Sequence, residues 1–142
     1  MAERATFNDF VTAQEPVWAN VTAELTAGRK ASHWMWFVFP QLASLGRSRT
    51  AKFYGLADLA EARAYLSHPV LGPRLTKAAH LFLTHPEKSA EDIMGGIDAL
   101  KLRSSMTLFE AADPQNPVFA KVLNTFYEGQ RCPLTRESLD TP

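Results

Sequence analysis

The residues best suited to chemistry lie on one predicted helix, from Ile97 to about Ala112. On a helical wheel Asp98, Lys101 and Ser105 fall at roughly 40–100°, with apolar residues on both sides. A charge held among apolar neighbours is costly unless it is paired, and Asp98 and Lys101 have the i, i+3 spacing that allows pairing. The stripe therefore indicates a site, with Lys101 as cation or nucleophile and Asp98 as acid or base, or a structural ion pair. If the helix is rotated or irregular, the stripe is instead simply exposed.

The same wheel predicts which side chains of this helix face the core. Two apolar groups flank the polar stripe, namely Ile97 with Leu108, and Leu102 with Met106 and Phe109. Arg103 and Glu110 fall on the far side, at roughly 220–240°. We therefore expect both of these charged side chains to lie in solvent.

An aromatic segment from Ser32 to Gln41 is the second candidate for function. Trp34 to Phe39 is an unbroken apolar run, too rich in aromatic residues for a surface loop. Ser32 is expected to cap a short buried helix that Pro40 ends, although the composition also allows a buried strand. A helix this short cannot point every ring in one direction, so some rings line a pocket or an interface. Trp34 and Gln41 are the predicted pocket residues.

His33 adjoins the aromatic segment and is a further candidate for ligand binding. A single histidine is more often a structural residue or a cap, and that interpretation stays open. His80 and His85 are five positions apart and do not share a helix face well. We therefore predict no metal site, and no pattern in the chain indicates a cofactor.

Composition limits the protein class. The 142 residues are 46% hydrophobic and 21% charged, which fits one globular domain over residues 1–142. The one cysteine, Cys132, excludes an intrachain disulfide and suits a reducing cytoplasm. Fifteen basic residues balance fifteen acidic ones, so the basic excess of a nucleic-acid-binding protein is missing. No signal peptide or membrane-spanning run is visible, and the oligomeric state stays open.

Helix signals dominate the chain and predict an all-α fold of about seven short-to-medium helices. Gly28 is placed to end a helix that follows Pro16. Asp58 is expected to cap the next long helix, and His68-Pro69 to end it. Ser89 and Asn116-Pro117 mark two later helix starts.

Four stretches match a known sequence pattern. They are Gly28-x-Lys30-x-Ser32-His33-Trp34-Met35-Trp36-Phe37-Val38-Phe39-Pro40-Gln41, Leu45-Gly46-x-Ser48, Tyr65-Leu66-x-His68-Pro69-x-Leu71-Gly72-x-Arg74-Leu75 and Asp98-x-x-Lys101-Leu102-x-Ser104-Ser105-Met106-Thr107-Leu108-Phe109. Over nearly its whole length the chain resembles a bacterial family of unknown function whose members are often labelled "calpastatin". The resemblance implies an all-α single domain of unestablished function. The label does not fit, because true calpastatins are long, polar and disordered.

Two details qualify this resemblance. The stretch Gly129-Gln130-Arg131-Cys132-x-x-Thr135 resembles a Gly-x-x-Asp-x-x-Thr pattern in which Cys132 takes the acidic position. The order of motifs is also similar to that of YbiA-like proteins, an ADP-ribose-processing family in which a helix carries a functional lysine. That similarity implies Lys101 as the counterpart.

Two hypotheses result. The first is a protein that binds or processes a small polar ligand, with nucleotide- and ADP-ribose-like compounds as examples, in a pocket between segment 33–41 and helix 97–109. The predicted site residues are His33, Trp34, Gln41, Asp98, Lys101 and Ser105. The alternative is a non-catalytic interaction or dimerisation domain in which an Asp98–Lys101 pair is structural. The first hypothesis requires the two segments to meet with a cavity between them.

Overall fold

The computed structural model describes residues 4–140. Over that range the chain forms ten α-helices, one 3-10 turn and no strand, which confirms the all-α prediction. The helices are α1 (Phe7–Gln14), α2 (Trp18–Ala27), α3 (Met35–Val38), α4 (Arg49–Phe53), α5 (Leu59–Ser67), α6 (Leu71–Leu83), α7 (Ala90–Met94), α8 (Gly96–Ala112), α9 (Pro117–Phe126) and α10 (Pro133–Asp140), and the 3-10 turn is Ala43–Leu45. No helix among the described residues is long and apolar enough to cross a membrane.

Local sequence signals set four of the helix ends that the sequence predicts. The side chain of Asp58 accepts the hydrogen bond that begins α5, and Ser89 forms a capping box at the start of α7. Asn116 caps α9 just before Pro117. Gly28 ends α2 with a φ of 73°, a left-handed conformation that glycine adopts without strain. These predicted helix ends are confirmed.

The long helix α8 is the centre of the fold and packs against α5, α7, α9 and α10. From Leu102 to Phe109 all but one of its residues are buried, including Met106 and Leu108 as predicted. Ile97 was expected in the same core, but it is 73% exposed. The prediction was wrong for Ile97 because its face of α8 is uncovered at the start of the helix, where Leu100 is also 64% exposed, whereas Ala99 in the same turn is buried.

Arg103 and Glu110 do not project freely into solvent, so this prediction also needs correction. Arg103 donates hydrogen bonds of 2.8 Å to the carbonyl oxygens of Gln130 and Arg131. Glu110 accepts a hydrogen bond of 2.9 Å from Arg131, and this contact lowers the pKa of the Glu110 carboxyl. Together they fix the loop before α10 and thereby place Leu134, which lines the pocket described below.

Candidate functional site

The aromatic segment is anchored to α2 rather than capped by its own serine. The helix α3 spans only Met35–Val38, and Trp34 is its N-cap residue. Ser32 was predicted to be the cap, but its hydroxyl donates a hydrogen bond of 2.6 Å to the Glu24 carboxylate. The prediction was wrong because α3 begins only at Met35, so Ser32 lies two residues before the N-cap position. Its hydroxyl instead donates to a charged acceptor, which makes a stronger hydrogen bond than a neutral one.

Glu24 is the acceptor for four hydrogen bonds from residues 31–34. Its carboxylate accepts hydrogen bonds from the backbone amides of Ala31 and Ser32 at 2.7 and 3.0 Å, and from the Ser32 hydroxyl. It also accepts from the indole nitrogen of Trp34 at 3.0 Å. Burial alone raises the pKa of Glu24, but these hydrogen bonds outweigh burial and lower the pKa to about 2. An ionised Glu24 therefore holds the start of the aromatic segment.

The rings of the segment divide between the core and the site. Trp34 is 0% exposed and Phe39 is 1% exposed, so both rings lie in the core. Trp34 was predicted to line the pocket, but it does not. Trp36 is half-buried, and the Lys101 ammonium lies 5.7 Å from its ring centroid, a cation–π contact. His33 is exposed and stacks on Trp36 with a centroid distance of 6.5 Å. The segment and α8 therefore meet through Trp36 and Lys101.

A pocket of about 420 Å³ lies beside this contact. Its polar lining residues are Gln41, Arg47, Ser48, Lys101 and Ser104. Its apolar lining residues are Leu45, Ala51, Ile97, Leu100 and Leu134. Of the predicted site residues Gln41 and Lys101 line the pocket, whereas His33, Trp34, Asp98 and Ser105 do not. The volume lies in the range of small-molecule sites.

Gln41 is positioned by a short parallel pairing between residues 41–43 and 55–56. The backbone amide of Leu56 donates to the Gln41 carbonyl at 2.9 Å, and the Ala43 amide donates to the Leu56 carbonyl at 2.8 Å. A Cβ at Gly55 would lie 2.3 Å from the Cα of Ala43. The two segments therefore approach this closely only because residue 55 is glycine, and the approach fixes one wall of the pocket.

The α8 wall of the pocket consists of Ile97, Leu100, Lys101 and Ser104. These four residues have the i, i+3, i+4, i+7 spacing of one helix face. The predicted stripe instead contained Ser105, which is fully buried and whose hydroxyl has no hydrogen-bond partner among the described residues. The face that lines the pocket combines apolar and polar residues, so the polar residues of the sequence alone do not indicate it.

Asp98 is paired with Lys30 and not with Lys101. The Lys30 ammonium lies 2.9 Å from the Asp98 carboxylate, and the Lys30 side chain is only 7% exposed. Lys30 also donates to the Ser32 carbonyl at 2.6 Å, so the loop before α3 brings it to the start of α8. The predicted Asp98–Lys101 pair does not occur, and within residues 4–140 Lys101 makes no ion pair.

A narrow cleft of about 10 Å³ joins the pocket at Gln41, Ala51 and Lys101, and it extends toward Trp36. Its remaining walls are Met35 and Phe39. The cleft has room for about one water molecule or one ligand atom. The bulk of any ligand must therefore occupy the larger pocket.

Cys132 lies behind the pocket wall and was not predicted as part of the site. Its sulfur is 3.2 Å from the Ser104 hydroxyl, and its backbone amide donates to the Thr107 hydroxyl at 3.0 Å. Burial raises the pKa of the Cys132 thiol, but hydrogen bonds from Ser104 and from the first turn of α10 outweigh it and lower the pKa. The sulfur thus acts as the acceptor at the start of α10, the position at which the resembled pattern has an acid.

A known protein family and a solved structure are both similar to this chain over nearly its whole length. A family described as "Protein of unknown function (DUF1810)" matches residues 4–139. The chain belongs to this family. The DUF1810 chain is also similar to the conserved hypothetical protein Rv1873 from Mycobacterium tuberculosis, with 47% identity, a TM-score of 0.94 and coverage of 96% of this chain and 97% of that one. No curated protein matches it, and neither description names a ligand.

The described residues of this DUF1810 protein offer no metal centre. Among residues 4–140 no three His, Cys, Asp or Glu side chains lie close enough together to hold a metal ion. The chemical groups that the pocket offers a ligand are therefore two cations, one amide and two hydroxyls, set against apolar walls.

Proposed function

We propose that this protein binds a small anionic ligand, of which nucleotide- and ADP-ribose-like compounds are examples, in the pocket between Gln41 and Lys101. One observation carries the proposal: among residues 4–140 the lining contains two cations, Arg47 and Lys101, and no carboxylate. Unneutralised positive charge in a concave site with apolar walls attracts anions. The similarity to ADP-ribose-processing proteins is the second reason to test nucleotide-like anions first.

The polar groups of the lining have separate roles in this proposal. Lys101 binds the anionic group, because it has no carboxylate partner in the part of the chain that the structure describes and it lines the pocket. The Gln41 amide and the Ser48 hydroxyl can donate hydrogen bonds that orient the ligand, whereas the Ser104 hydroxyl already donates to the Cys132 sulfur. Asp98, held by Lys30, positions the first turn of α8.

A protein-interaction domain is the second candidate function. It is favoured by three exposed large apolar side chains around the pocket, Ile97, Leu100 and Leu134. Light scattering separates the two candidates. A stable oligomer whose formation is abolished by Leu100→Asp, in a protein that binds no anion, would favour the interaction domain.

Calorimetric titration of the full chain tests the proposal directly. The probes are AMP, ADP-ribose and inorganic phosphate, each titrated at low and at physiological salt. We expect saturable 1:1 binding of at least one probe, and weaker binding at the higher salt because screening reduces attraction between charges. If no probe shows saturable binding at millimolar concentration, the proposal is wrong.

Arg47→Met should weaken the same binding by about three- to fivefold, since an exposed charge contributes less than a buried one. The variant should also reduce the salt dependence of the dissociation constant. Arg63→Met is the matched control, because Arg63 is also exposed but lies on α5, away from the pocket. Equal effects of the two substitutions would show that only net charge matters.

Asp98→Asn should lower the free energy of unfolding by about 1 kcal/mol and leave the dissociation constant within about twofold. The reason is that Asp98 contacts Lys30 at 2.9 Å and does not line the pocket. Chemical denaturation and calorimetry measure the two quantities separately. A large loss of binding with unchanged stability would instead show that Asp98 belongs to the ligand-binding site.

A further inference from the structure

The apolar lining residues of the pocket indicate which kind of ligand it binds. Ile97 is 73% exposed, Leu100 64% and Leu134 57%, and these are the large hydrophobic side chains that the described structure leaves exposed. All three line the one pocket that also contains Arg47 and Lys101. Exposed large apolar side chains gathered at a concave site mark a surface that binds apolar groups.

The position of Lys101 fixes how a ligand can lie. Lys101 lines both the pocket of about 420 Å³ and the cleft of about 10 Å³ beside Trp36. An anionic group at Lys101 can place about one atom in the cleft. The rest of the ligand must extend into the larger pocket, which is the part lined by Ile97, Leu100 and Leu134.

We infer that the ligand is an amphiphilic anion, in which one molecule carries both an aromatic or aliphatic body and a phosphate or carboxylate group. This inference rests on the proposed function and narrows it. The anionic group lies at Lys101, and the apolar body covers Leu100 and Leu134. A sugar phosphate without an apolar body would leave these side chains in water and would place hydroxyl groups against them, at a cost in affinity.

A set of three phosphates tests the inference by calorimetry. Phenyl phosphate has the apolar body, ribose 5-phosphate has a polar body of similar size, and inorganic phosphate has none. We expect phenyl phosphate to bind at least about tenfold more tightly than either of the others. If all three bind equally, the inference is wrong and the proposed anion site stands. If none binds, both are wrong.

Leu100→Ser gives a second readout at the same site. It should weaken phenyl phosphate binding about fivefold and leave inorganic phosphate binding unchanged, because only the apolar contact is removed. Leu100 is 64% exposed, so the melting temperature should stay within a few degrees. An equal loss for both phosphates, or no loss for phenyl phosphate, would overturn the inference.

Discussion

Lys101→Met is expected to weaken ligand binding by at least about tenfold and to leave the fold intact. A hydrogen bond between charged partners contributes about 1.5–3 kcal/mol, and about 1.4 kcal/mol corresponds to tenfold in affinity. Methionine keeps an apolar stem of similar length beside Trp36, so only the charge is lost. Calorimetry with phenyl phosphate and AMP measures the affinity.

The stability of the same variant distinguishes a site lysine from a structural one. Lys101 loses only a cation–π contact with Trp36, which contributes about 0.5–1 kcal/mol. The melting temperature should therefore fall by no more than about 4 °C. Severe unfolding would mean that Lys101 is structural, and unchanged binding would mean that the pocket does not use it.

Lys121→Met is the matched control for this experiment. Lys121 is exposed on α9 and does not line the pocket, so the substitution removes the same charge elsewhere. Binding should stay within about twofold of the wild type, because a distant surface charge is screened by salt. A loss equal to that of Lys101→Met would attribute the effect to net charge alone.

The fold was predictable from sequence because its signals are local. The caps at Asp58, Ser89 and Asn116 and the glycine at position 28 act within a few residues of the chain. A helical apolar stripe likewise predicts a buried face without knowledge of its partner. These features were sufficient to predict an all-helical domain, although α3 begins without a local side-chain cap and depends on Glu24 of α2.

The site was predictable only in part, because it depends on contacts between distant segments. A helical wheel places Asp98 near Lys101, but it cannot show that Lys30 approaches from a loop 68 positions earlier. One residue of rotation separates Ser104, which lines the pocket, from Ser105, which is buried. Gln41 and Lys101 were found because both lie in segments whose composition is unusual in itself.

Trp34 illustrates the same limit for aromatic residues. The sequence shows several rings in a short segment but not which of them turns inward. That choice depends on Glu24, which lies ten positions earlier on α2 and accepts the indole N–H. No pattern around Glu24 marks it as an anchor, because its donors come from the following loop and are brought near it by Gly28.

Glu24→Gln should lower the free energy of unfolding at pH 7 by about 2 kcal/mol, after allowance for the solvent access of this carboxylate. Its pKa is lowered from 4.5 to about 2 in the folded protein. A lowered pKa means that Glu24 contributes stability above pH 4.5 and loses it as the pH falls toward 2. The difference in unfolding free energy between wild type and variant should therefore shrink over this pH range.

Chemical denaturation at a series of pH values, followed by tryptophan fluorescence, measures this difference. Glu91→Gln is the control, because Glu91 is exposed on α7 and should give a small difference at every pH. A Glu24→Gln difference that stays constant from pH 7 to pH 2 would contradict the ionised anchor.

The anchor matters for function because the segment that Glu24 holds continues into Trp36 and Gln41. Partial loss of phenyl phosphate binding in the folded variant is therefore also expected, since these two residues contact or line the site around Lys101.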